Sequence, residues 1–85
     1  MAMEHIVLRF GTKDGDGMSV DHPLGITIPV NGDSVRLEVR GKEVNAQVVS
    51  PPMFEYAPVD GGRSRLVAVN YTITAEWPRE DRGAD

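Results

Sequence analysis

The residues with metal-binding character gather early in the chain: Asp14-Gly15-Asp16-Gly17, with Glu4, His5, Asp21 and His22 on either side. A helix-loop-helix calcium site takes oxygen ligands at positions 1, 3 and 5, glycine at 6 and a bidentate glutamate at 12. Counted from Asp14, position 5 is Met18, position 6 is Ser19 and position 12 is Gly25. The stretch therefore reads as a solvated turn. Zinc needs a tight set of three or four ligands. The chain has no cysteine, and its two histidines are isolated, His5 opening an apolar run and His22 preceding Pro23. Both read as surface residues, and neither a metal nor a cofactor is expected.

Nucleophilic and acid–base chemistry have no better footing. Ser19, Ser34, Ser50 and Ser64 all lie outside a G-x-S-x-G setting. Glu38 and Glu43 fall on what reads as a solvated strand face, with nothing to desolvate them and move their pKa values apart. A chain of 85 residues also has little volume for a cleft on the order of several hundred Å3. The expectation is a non-enzymatic protein.

Two groups remain as contact chemistry. Arg36, Arg40, Arg63 and Arg65 would form a basic face if their strands adjoined, or else blunt an edge and pair with Glu38 and Glu43. Met53, Phe54 and Tyr56 put three bulky groups within four residues, between Pro51-Pro52 and Pro58. Aromatics and methionine are enriched at interface cores, and prolines limit the entropy lost when a segment is fixed on binding. The competing role for Phe54 and Tyr56 is to fold back and close one end of a small core. In a domain short of apolar residues, that role weighs somewhat more.

Charge and size bound the function. Thirteen acidic against nine basic residues give a net charge of −4, the wrong sign for a protein that draws its affinity from nucleic-acid phosphates. The length fits one domain. Such a domain buries only about 60–65% of the surface its unfolded chain exposes, so its core is small. The apolar run Ile6-Val7-Leu8 is too short for a signal-peptide core or a membrane span, and a cytoplasmic location is the expectation.

The elements that must position these groups alternate with period two between frequent glycines and prolines, and no helical stripe runs for three turns. A first strand is expected from about His5 to Phe10, with Ile6, Leu8 and Phe10 on one face. A glycine-rich loop follows at Gly11 to Ser19, then a short strand from Ile26 to Val30 and a turn at Asn31-Gly32-Asp33. Ser34 to Arg40 and Glu43 to Val49 form a hairpin. With Gly41-Lys42 as a type II′ turn, Val39 faces Val44, Leu37 faces Ala46, Val35 faces Val48 and Arg40 faces Glu43. Met53 to Arg63 reads as a connection. Ser64 to Trp77 is a strand too long to be straight, with a bend or bulge near Asn70. Residues 1–77 make the domain, and 78–85 an acidic tail without an apolar anchor that is expected to be disordered.

The run Gly32-Asp33-Ser34-Val35-Arg36-Leu37, with Gly41-Lys42-Glu43 and Ala46-Gln47-Val48-Val49, resembles the strand-turn-strand core of SH3-like barrel modules. It covers about a quarter of the chain, implies a binding module and carries over no site residues. The expected fold is all-β, about five antiparallel strands in an SH3-like barrel or strongly bent meander. The expected function is binding to another protein, a second copy of itself included, with Met53, Phe54 and Tyr56 as candidate contacts. A nucleic-acid-contacting barrel and a non-catalytic subunit of an enzyme complex are the alternatives. Converging arginines would favour the nucleic-acid alternative, an exposed apolar patch the protein one, and a deep pocket holding a histidine with a carboxylate an enzyme.

Overall fold

In a computed structural model describing residues 4–78, strand β1 (His5–Gly11) buries Ile6, Leu8 and Phe10 on one face. It turns at Thr12–Asp16 into β2 (Gly17–Pro23), which pairs with it antiparallel along its whole length. The sequence placed a loop over Gly17 to Ser19. These residues are strand because glycine permits a close approach: a Cβ on Gly17 would stand 2.7 Å from the Phe10 carbonyl oxygen. Met18 and Val20 then lean on the core.

The strand expected at Ile26–Val30 is absent. Pro29 has no N–H for a ladder, and the segment is held by other bonds. The Tyr71 hydroxyl donates to the Pro29 carbonyl at 2.6 Å, and the Val30 amide donates to the Asp33 carboxylate at 2.9 Å. Ile28 packs on the core, while Ile26 and Val30 are exposed. The turn at Asn31-Gly32-Asp33 forms as expected, with the Asp33 amide bonded to the Val30 carbonyl.

Strands β3 (Ser34–Val39) and β4 (Lys42–Val48) form the expected hairpin with the expected inner face: Leu37, Val39, Val44, Ala46 and Val48 are buried. The register is two residues from the expected one. Val39 faces Lys42, Leu37 faces Val44 and Val35 faces Ala46. The turn is Arg40-Gly41, both with positive φ (51° and 77°), which matches the I′ turn whose twist suits a hairpin. A slip of two leaves each side chain on its face, so alternation alone cannot tell the two registers apart. The outer face accordingly sets Glu38 opposite Glu43. Arg36 relieves this from the diagonal, 3.5 Å from Glu43.

Residues 53–59, expected as a connection, are a strand, β5 (Met53–Val59). A 3-10 turn at Asp60–Gly62 leads into β6 (Arg63–Thr74). Phenylalanine, tyrosine and valine favour strands, and Pro58 is tolerated because β5 pairs with β6 alone. The long strand is irregular, as expected, but at Val67 and not near Asn70, and it ends at Thr74 and not at Trp77. Ala68 faces Glu55 and Leu66 faces Tyr56, so Val67 is an extra, bulged residue. Beyond the bulge the inward face changes parity, and Leu66 instead of Val67 joins Val69, Tyr71 and Ile73 on the core.

β6 organises the sheet. It pairs parallel with β1 over residues 68–72, antiparallel with β5 from Arg63 to Asn70, and antiparallel with β4 at Ile73 and Thr74. The order β2-β1-β6-β4-β3, with β5 off that path, wraps one apolar core. The fold is an all-β, nearly closed barrel-like sheet, consistent with a small SH3-like barrel. It has six strands in place of about five, and one parallel pair, β1 with β6, where antiparallel pairing was expected. The acidic tail read from the sequence lies, apart from Pro78, outside the described residues.

Candidate protein-contact surface

The tips of the two hairpins lie at opposite ends of β6. β4 joins β6 at Ile73, and the β3–β4 turn runs on past it, so that Arg40 donates to the Pro78 carbonyl at 2.7 Å. Arg63 and Arg65 sit at the other end, opposite Val59 and Ala57. From Arg65 to Ile73 is about 25 Å of strand at roughly 3.3 Å per residue. Arg36 lies beyond that and leans on Glu43. The four arginines do not share a face.

The other candidate chemistry is dispersed too. Asp14 and Asp16 border a turn closed by Thr12, whose amide donates to the Asp16 carbonyl at 2.8 Å and whose hydroxyl accepts from the Asp16 amide at 3.2 Å. A polar cleft of about 780 Å3 beside this turn is lined by Asp14, Asp16, Arg40, Lys42 and Trp77, and neither histidine borders it. His22 contacts the Ile26 carbonyl oxygen, 3.2 Å from Nε2. Among the described residues, no cluster of three histidines or carboxylates is spaced to hold a metal ion.

Met53, Phe54 and Tyr56 all lie on β5, at 69%, 48% and 61% exposed; Phe54 and Tyr56 share one face and Met53 lies on the other. Directly opposed residues of an antiparallel pair share a face. Phe54 faces Val69 and Tyr56 faces Leu66, so both aromatics lie on the core-side face of the sheet, at the margin of the core. The closing role the sequence favoured for them is not the arrangement found. The aromatics buried in the core are instead Phe10 and Tyr71, partners across the β1–β6 pair whose rings stack with centroids 5.1 Å apart. From Met53 to Arg65 every residue except Ala57 is exposed, so β5 and the start of β6 form a two-stranded arm. Val59, also exposed, lies near its tip on the face opposite the two aromatics, with Met53 and Glu55.

The outward face of the arm's root is fastened by a polar cluster the sequence did not disclose. The Arg9 guanidinium donates to the Glu55 carboxylate at 2.6 Å and to the Asn70 side-chain oxygen at 3.4 Å. The Asn70 amide nitrogen donates to the same Glu55 oxygen at 3.2 Å. The Asn70 hydrogen bond first, and the Arg9 bond and charge second, hold the Glu55 carboxyl below its ordinary pKa. These residues are distant in sequence and meet only because β6 pairs with β1 on one edge and β5 on the other. Beside them a groove of about 450 Å3 opens where β5 leaves β6, lined by Pro51, Pro52, Met53, Tyr71 and Thr72 among others.

The chain matches no protein-family model, no curated protein and no solved structure.

Proposed function

We propose that this chain is a small non-enzymatic protein-binding module whose contact surface is the β5 side of its arm. The observation that carries the proposal is the position of Phe54 and Tyr56, 48% and 61% exposed on a face continuous with the core. Small soluble domains rarely leave a contiguous apolar stripe uncovered without an interaction to use it. Bulky groups on a hydrogen-bonded strand also lose little freedom on binding, which favours affinity. Arg9, Glu55 and Asn70 hold that strand in place without covering it.

The test is recovery of partners from a lysate of the source cells on immobilised protein, with and without nuclease. Phe54→Ser and Tyr56→Ser should each lose the partners that the parent retains, while the fold is unchanged. Partners that vanish on nuclease treatment would assign the contact to nucleic acid and overturn the proposal.

A further inference from the structure

The partner that fits the β5 edge is a second copy of the chain. Among the described residues, strands β2 and β3 end the main path of the sheet and β5 pairs on one side only. The start of β6, charged by Arg63 and Arg65, is open on the side away from β5. Natural edges are blunted by charge, proline or brevity. β2 carries Asp21 and ends at Pro23, and β3 carries Arg36 and Glu38. β5 is seven residues long and has one charge, Glu55, already engaged by Arg9 and Asn70. Its one proline, Pro58, comes near the far end and leaves residues 53–57 open.

Charge points to the same occupant. The arm, residues 53–65, carries Glu55 and Asp60 against Arg63 and Arg65, a net charge of zero, within a chain of net −4. Two acidic copies repel at most orientations, whereas their arms meet without net repulsion. A strand edge is also self-complementary. Turned about a two-fold axis normal to the sheet, β5 offers its own donors and acceptors in antiparallel order, and the contact is isologous.

Resting on the reading of the arm as a contact surface, we infer that the protein dimerises by antiparallel pairing of β5 with β5 of a second copy, which sets the two Phe54–Tyr56 stripes side by side on one face. The sheets of both copies then run on as one, and the open edge is gone.

Sedimentation equilibrium of the purified chain, from about 1 to 300 µM to span weak association, is the test. The mass should rise from one chain to two. Tyr56→Lys, placing a charge on the edge, should stay monomeric throughout. Ile26→Lys, at a residue equally apolar and 55% exposed but remote from the arm, should dimerise like the parent. Backbone amides of Phe54 and Tyr56 in the parent should exchange more slowly as concentration rises, a readout that needs no variant. A parent monomeric over the whole range overturns the inference, as does a Tyr56→Lys chain as dimeric as the parent, or loss of the dimer in Ile26→Lys. A monomeric parent whose partners are lost with Phe54→Ser would overturn self-pairing alone, leaving the arm as a surface for a different protein.

Discussion

Tyr71 ties the irregular 24–33 segment to the barrel: its hydroxyl donates to the Pro29 carbonyl at 2.6 Å while its ring stacks on Phe10. Backbone bonds hold the segment at its two ends, Leu24 to Glu4 and Gly32 and Asp33 to Val48, and the Tyr71 bond holds its middle, where Pro29 has no amide proton to give. Removing it by Tyr71→Phe leaves the Pro29 oxygen without its partner and should cost about 1–2 kcal/mol. In a domain of this size that is a fall in Tm of about 4–16 °C, read by thermal melting. Faster amide exchange confined to residues 26–33 would identify the segment released.

Burial first, and the Asp33 charge second, push the Tyr71 phenol above its ordinary value of 10.0. A group whose folded pKa is raised contributes stability that is fully present below the unfolded pKa and lost as pH rises through the folded one. The alkaline limb of stability above about pH 10 should therefore be steeper in the parent than in Tyr71→Phe. Equal slopes in denaturant titrations across that range would remove Tyr71 as the cause.

Glu55 works at the other end of the scale. Its carboxyl is held below the ordinary 4.5, by Asn70 first and Arg9 second. Such a group contributes stability above its unfolded pKa that is lost as pH falls through the folded one. Carbon-detected titration of the parent should place the Glu55 midpoint below 4.5, and Asn70→Ala should move it upward. Glu55→Gln should flatten the acid limb of stability. Because the group is solvent-exposed, salt should weaken the effect.

Phe54 separates surface from core directly. A closing role would make Phe54→Ala cost about 3–5 kcal/mol, as for a buried phenylalanine. At 48% exposure the expected loss is about 1 kcal/mol or less, measured by chemical denaturation at concentrations where the chain is monomeric.

The β3–β4 hairpin supplies five of the buried side chains, Val48 among them at 0% exposed. Leu37→Asp buries an unpaired carboxylate, which costs several kcal/mol against a total of about 5, and should unfold the domain. Gly41→Ala places a Cβ at φ 77° and should cost about 1–2 kcal/mol with the fold retained. A dispersed native amide spectrum for Leu37→Asp would contradict the inward placement of Leu37.

Alternation alone was sufficient for β1, β3, β4 and the latter part of β6, because side chains of opposite character on successive residues can satisfy only a half-buried strand. It assigned Leu37, Val39, Val44, Ala46 and Val48 to the core, and all are there. It could not choose the hairpin register, since a slip of two residues preserves every face. The backbone decided that, through positive φ at Arg40 and Gly41. Local pattern also misplaced the second strand. Ile26, Ile28 and Val30 alternate more cleanly than Met18 and Val20, but Gly17 can approach β1 closely, and Tyr71 takes the Pro29 carbonyl. The arm shows where local signals end. Met53, Phe54 and Tyr56 were visible as contact chemistry from their types and spacing. Their exposure is set by β6, which bulges at Val67 and exchanges β5 for β4 as its neighbour, so that Phe54 and Tyr56 lie at the margin of the core. The cluster of Arg9, Glu55 and Asn70 exists for the same reason: strand pairing, a property of the whole chain, places side by side three residues that no local pattern links.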